Sequence, residues 1–227
     1  MNKELKVLIW FFVTGLMFGS VISTNAQKRV IKYAEAEKII DASRTLLWRS
    51  TYRETYTEEE FQSRNGASRI VKRVIREEIP EKANRSVTTT YLKDGKVEKR
   101  EFVYIDGKPY RRTDDGPWDT TPADLASLVG PPIPDEGPVR STNAAWFIEE
   151  TSVGGKQTNV YEIRNTTSYF ENRRMTNYIS LERYWIGADG RILRKLSENS
   201  VVGRPQITKG VTEYEYENIA IERPVIR

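Results

Sequence analysis

The sequence contains no cysteine and no histidine in 227 residues. Those two absences exclude a disulfide, a cysteine nucleophile, a Ser-His-Asp triad and a histidine-ligated metal. A phosphate-binding glycine loop, a calcium-loop spacing and a repeat of solenoid length are also missing. Charge of one sign is not concentrated anywhere: 36 basic and 32 acidic residues are interleaved along the chain. That is the pattern of a dispersed solvated surface, so no nucleic-acid partner is expected. What is present is 38% hydrophobic and 30% charged residues. The mixture is too apolar for a disordered chain and too polar for a multi-span membrane protein.

One greasy run stands apart. Lys3 and Lys6 flank a short basic start, Val7–Phe18 is apolar, and small residues lead to Thr24-Asn25-Ala26. This reads as a cleavable signal peptide cut after Ala26, too short and too interrupted by Gly15 and Gly19 for a membrane span. Its removal takes away Lys3, Lys6 and Glu4 and lowers the formal charge from +4 to +3. No cysteine follows to carry a lipid anchor, so residues 27–227 are expected as one soluble domain, periplasmic or secreted. Without disulfides its stability must come from a real core, and roughly 200 residues bury about 70% of their unfolded surface.

Apolar residues at 30, 33, 34, 36, 39 and 40 predict an N-terminal helix from Val30 to about Ser43. From Leu46 onward the period is two: Leu46, Trp48, Tyr52 and Tyr56 alternate with polar residues, as in a strand with one buried face. Further strands are expected at about 67–79, 85–93, 97–105 and 108–113. After a break they resume at 144–153, 157–165, 175–187, 190–199 and 207–217, with a short edge strand at 219–226. Asn65-Gly66, Asp94-Gly95, Asp106-Gly107, Gly154-Gly155 and Asp189-Gly190 mark the hairpins. Asp119–Val129 predicts a helix with Thr121 as its cap, followed by the proline-rich loop Gly130–Pro138. The strand at 67–79 places Val71, Ile75 and Ile79 on one side and Ile70 and Val74 on the other. A sheet greasy on both faces, with two short helices to cover it, leaves apolar surface that a ligand can complete.

Tyr104-Ile105-Asp106-Gly107-Lys108-Pro109-Tyr110, the continuation Arg111–Trp118, and Tyr184-Trp185-Ile186-Gly187-Ala188-Asp189-Gly190-Arg191-Ile192 carry a resemblance. With the export signal and the order of elements over Val30–Ile226, the chain resembles the periplasmic lipoprotein-carrier superfamily, the group with the LolA-type fold. The resemblance implies a mainly β (α+β) domain: a strongly curved antiparallel sheet forming an open half-barrel. The N-terminal helix and the central helix with its proline-rich loop would form a lid. It implies non-covalent binding of a lipid or lipoprotein acyl chain and no enzymatic activity, cofactor or metal. Contact with a membrane would be peripheral at most. The alternative it offers is an envelope sensing module that binds a protein partner, as the RseB sensor domain does.

Candidate cavity residues are the large side chains at inward strand phases: Trp48, Tyr52, Phe102, Tyr104, Tyr110, Trp146, Ile148, Ile179, Leu181, Trp185 and Leu193. Each of these also fits an ordinary dry core. Arg111 and Arg112, beside Asp114 and Asp115, are candidates to clamp an anionic head group, or else form a solvated hairpin tip. Paired carboxylates for acid–base work are not expected. Glu77 and Glu78 point to opposite faces of a strand, while Glu213, Glu215 and Glu217 line a wet one.

Overall fold

The computed structural model describes residues 28–61, 68–120, 140–171, 174–204, 207–216 and 219–226. The expected signal peptide and the expected lid helix and loop from residue 121 to 138 lie outside them. A short strand β1 (Arg29–Ile31) leads into helix α1 (Tyr33–Trp48). Five strands follow: β2 (Tyr52–Phe61), β3 (Ser68–Ile79), β4 (Ala83–Tyr91), β5 (Val97–Ile105) and β6 (Lys108–Thr113). The second half contributes β7 (Arg140–Val153), β8 (Lys156–Glu171), β9 (Arg174–Gly187), β10 (Ile192–Val201) and β11 (Ile207–Glu215). All are antiparallel neighbours in one sheet of order β1-β7-β8-β9-β10-β11-β2-β3-β4-β5-β6. The edge strands β1 and β6 do not meet, so the sheet is open, the unclosed half-barrel that the sequence led us to expect. Strands as long as the 16 residues of β8 cannot stay flat, because strand twist accumulates along them.

The turn chemistry explains the pairing. Asp106 and Gly107 both have positive φ, 52° and 75°, as do Gly154 and Gly155, 55° and 77°. Two left-handed residues between strands make the two-residue hairpin whose twist matches the sheet. The β5–β6 and β7–β8 hairpins therefore form where the sequence placed them.

The start of the chain differs from expectation. Val30 and Ile31 pair with Trp146 and Ala145 on β7 instead of opening the helix. The helix runs on to Trp48, which is its last residue and not part of a strand. Its buried residues are Ala36, Ile40, Ser43 and Leu47, a four-three-four spacing that continues past Ser43. Residues 219–226 form no strand, and Asp119 bridges to Arg111 at the edge of β6.

Helix α1 packs mainly on β7, β8 and β10. The core lies between them: Ala36 and Ile40 from the helix meet Ala145, Ile163, Tyr184, Ile186 and Ile192. Following the pairing registers sorts every strand residue onto the helix side of the sheet or the opposite side. Two β-bulges change the phase. One, between Glu58 and Glu59, makes Val71 the extra residue, so Ile70 joins Ile75 on the side away from the helix while Val74 faces the helix side. The other separates Ile192 from Arg194, and it carries Leu193.

Gly210 on β11 exists for a close approach. A Cβ there would lie 2.6 Å from Tyr56 Cε2 and 2.8 Å from Ser197 Oγ. The Tyr56 ring thus lies across the β11 backbone, its hydroxyl donating to Glu58 at 3.0 Å. Gly210→Ala should cost about 1–3 kcal/mol by overpacking. In a Tyr56→Ala background the same change should cost well under half as much. A urea-denaturation cycle of the four proteins checks the pair, and equal costs in both backgrounds would contradict this packing.

Candidate functional site

The side of the sheet away from α1 covers itself with long charged side chains. Glu215, Arg53, Glu77, Arg85 and Glu101 alternate in sign from β11 to β5, with contacts of 3.5, 2.8, 3.6 and 3.3 Å. Arg112 on β6 closes the ladder on Glu101 and lies 4.6 Å from the centre of the Trp118 ring. A second cluster centres on Glu162, which is 1% exposed and accepts hydrogen bonds from Lys28 and Arg183. Lys28 sits 4.1 Å over Trp146, and Arg183 and Arg194 flank Trp185 at 5.8 and 5.4 Å. Among the described residues, cation–π contacts and aliphatic stems shield this face without a second layer.

Electrostatics follow from that arrangement. Burial alone would raise the pKa of Glu162, but hydrogen bonds from Lys28 and Arg183 outweigh it and hold the carboxyl below the usual range. Glu101 is depressed in the same way, burial being overcome by Arg112 and then Arg85. These carboxylates are fixed acceptors in ion pairs. Glu77 pairs with Arg53, while Glu78 stands on the opposite side against Tyr52, so the two do not form a catalytic pair. Glu213 and Glu215 do share the side away from the helix, whereas Glu217 lies outside the described residues. Among the described residues no group of three or more carboxylates gathers as a metal site.

The helix side is different. Arg44 reaches from α1 to the Tyr184 hydroxyl at 2.5 Å, and Tyr184 donates to Glu182 at 2.7 Å. Glu182 also pairs with Lys195 at 2.5 Å; burial would raise its pKa, but Lys195 and Tyr184 bring it below normal. Past this cluster the helix cover ends. Across β11, β2 and β3 the side carries Thr212, Tyr56, Glu54 and Arg76, with burial raising the pKa of Glu54 against the pull of Arg76. At each end of this stretch, which α1 does not cover, lies a cleft.

The larger cleft, of about 730 Å³, is built on β4, β5 and β6. Ser86 and Thr88 project beside Phe102 and Arg100 because the four fall on the same strand phase. Arg111 and Thr113 follow from β6, with the Arg111 guanidinium 5.7 Å from the Phe102 ring centre. Pro117 and Asp119 close the edge. The result is an aromatic floor with one cation over it, a second at its side and hydroxyls around it, which suits a ligand that is apolar at one end and anionic at the other. The second cleft, of about 310 Å³, lies at the far end of β8–β11.

The structure separates the sequence candidates. Phe102 and Arg111 come together in the larger cleft, with Tyr104 two residues along the same face and 40% exposed. Arg112 borders it through its backbone phase, its side chain being committed to Glu101 on the other side. Tyr52 is buried against Tyr214, edge-on at 6.1 Å, and Tyr110 is buried opposite Val103 on the far side. Trp146, Ile148, Ile179, Leu181 and Trp185 also fall on the far side. Ile179 nonetheless borders the smaller cleft, and Leu193 borders a third of about 320 Å³. Trp48 stands 75% exposed at the end of the helix. The sequence reading passed over Ser86, Thr88 and Arg100. Their signal was there in Asn84, Ser86, Thr88 and Thr90, small polar residues on one strand phase, which by themselves look like an ordinary wet face.

Among the described residues no helix is long and apolar enough to cross a membrane. The family models compared with the sequence do not match it, and neither do the curated proteins. Among solved structures, the chain is similar to a putative outer membrane lipoprotein-sorting protein domain from Vibrio parahaemolyticus. The identity is 11% and the TM-score 0.27, over 82% of this chain and 95% of that one. It is also similar to a DUF1329 family protein from Desulfovibrio piger, at 8% identity and a TM-score of 0.27 over 80% and 90% of the two chains. A putative exported protein with a YmcC-like fold from Bacteroides fragilis gives 9% and 0.27 over 73% and 96%. At identities of 8–11% and a TM-score of 0.27 these likenesses carry no inference about site or ligand.

Proposed function

We propose that this chain is an exported, non-catalytic binding protein that takes an amphipathic ligand, a lipid or a lipoprotein acyl moiety, on the helix side of its sheet. The observation that supports the reading is the cleft over Phe102, where Arg100 and Arg111 stand beside an aromatic floor and α1 offers no cover. The apolar part of the ligand would lie on Phe102 and extend toward Tyr104, and Arg111 would meet its anionic end.

The energetics suit a carrier. Burying one methylene is worth about 0.8 kcal/mol, so a sixteen-carbon chain represents about 13 kcal/mol against water. A membrane offers nearly the same, so the ligand can be accepted and released close to balance. The lining is amphipathic, with hydroxyls around one aromatic ring, which favours exchange over permanent capture.

The test is a fluorescence titration of the purified protein with 11-(dansylamino)undecanoic acid. Wild type should enhance the probe's emission, and palmitate should displace it. Phe102→Ala removes a contact of about 1.5–3 kcal/mol and should raise the Kd roughly tenfold or more. Trp185→Ala, on the other side of the sheet, should leave the Kd within about twofold. A wild-type protein with no enhancement would contradict the reading and favour the alternative of a module that binds a protein partner.

A further inference from the structure

Beside the core under α1, the helix side of the sheet changes composition abruptly. β8 runs Tyr161, Ile163 and then Asn165, Thr167 on this side, and β9 runs from Tyr184 and Glu182 to Ser180 and Tyr178. In register, Asn165, Ser180, Asn199 and Thr208 form one continuous row across four strands. Adjacent strands are about 4.8 Å apart, so the row spans about 14 Å. Small side chains here leave the cleft of about 310 Å³, and Arg204 stands at its rim. Tyr178 forms part of its wall, steadied edge-on by Tyr169 at 5.5 Å and 85°.

One atom gives this cleft a direction. Among the described residues the Asn165 Oδ1 is buried and accepts no hydrogen bond. Buried carbonyl oxygens are rarely left unpaired, and each exception asks for an explanation. The oxygen needs a donor, which a carboxylate or a sulfate, ionised at neutral pH, does not offer. A neutral hydroxyl both donates and accepts, as do the amide and hydroxyl side chains of this row. An aromatic wall beside such a row supplies the apolar surface on which the C–H face of a sugar ring packs.

We propose that the Asn165–Thr208 row and Tyr178 form a binding site for a saccharide ring, with a ring hydroxyl donating to Asn165 Oδ1. Its volume is at the small end of ligand sites, about 300–1,000 Å³, which suits a compact ligand. The site is separate from the Phe102 cleft and does not depend on an acyl chain occupying that one. A free saccharide and the sugar head of a glycolipid present the same chemistry to it.

Saturation-transfer NMR on the whole protein tests the proposal, with the methyl glycosides of glucose, galactose, mannose and N-acetylglucosamine as probes. At least one should receive magnetisation, strongest at its ring C–H protons, and inorganic sulfate should not compete. Asn165→Ala should raise the Kd of that sugar at least tenfold while the melting temperature stays level or rises, because an unpaired amide is being removed. Tyr178→Ala should abolish the transfer. Comparing methyl with octyl glucoside below its micelle concentration distinguishes the sources: equal affinity names a free saccharide, and a tenfold gain for the octyl form names a glycolipid head. Absence of transfer from every glycoside would overturn the proposal. So would competition by sulfate, or sugar binding that survives Asn165→Ala unchanged.

Discussion

Tyr184→Ala should destabilise the protein by about 4 kcal/mol, lowering the melting temperature by roughly 8–16 °C. Tyr184 is 1% exposed and sits where α1 meets the sheet, in contact with Arg44, Glu182 and Lys195. Its removal opens a cavity beside Ile40 and Ile192 and strips one donor from Glu182. Tyr184→Phe separates the two effects, since it keeps the ring and loses only the hydroxyl, for about 1 kcal/mol. The alanine variant should also expose the helix to proteolysis at concentrations of protease that leave wild type intact. A loss below about 1 kcal/mol in Tyr184→Ala would mean that the helix is not docked as described.

Glu162→Gln should cost about 2–3 kcal/mol, measured by urea denaturation at pH 7. Breaking a fully buried pair costs about 3–5 kcal/mol, but Lys28 and Arg183 are about two-fifths exposed and recover part of their hydration. The pH dependence carries a defined sign. Glu162, Glu101 and Glu182 have folded pKa values below normal, so the stability they contribute is present above the unfolded carboxylate value of about 4.3. It is lost as pH falls through the folded values. Glu54 and Glu78, raised by burial, act in the opposite sense and weaken the fold as pH rises past about 4.3. Between pH 4.5 and 2.5 the wild-type midpoint should fall more steeply than that of Glu162→Gln. Parallel curves would remove Glu162 from the list of groups that fix the acid limb.

Turn residues made the hairpins legible in the sequence, because Asp106-Gly107 and Gly154-Gly155 impose a geometry that needs no tertiary partner. The extent of α1 was harder to read. Leu46 and Trp48 share a two-residue phase with Tyr52, and the helical stripe passes through Ser43, a polar residue that hides it. Phase was hardest of all. Bulges at Val71 and beside Leu193 shift the alternation, so that Ile70 and Ile75 end on one side although the spacing put them on two.

The same limitation scattered the site candidates. A large side chain at a strand phase announces burial, but only the register across neighbouring strands tells which face it enters. Trp146 and Trp185 are large because cations lie over them on the far side, and Phe102 is large because it floors a cleft. The groups that distinguish the clefts are Ser86, Thr88, Asn165 and Ser180, which in one dimension look like solvent-facing residues. The surface left beyond α1 is amphipathic and not simply greasy, which suits the proposed ligand with its polar end.

Native mass spectrometry after incubation with vesicles of phosphatidylethanolamine and phosphatidylglycerol tests this account most directly. It predicts one-to-one adducts at the mass of an acyl-bearing lipid on the wild-type protein, reduced at least tenfold in folded Phe102→Ala. Bare polypeptide mass at every vesicle concentration would contradict it.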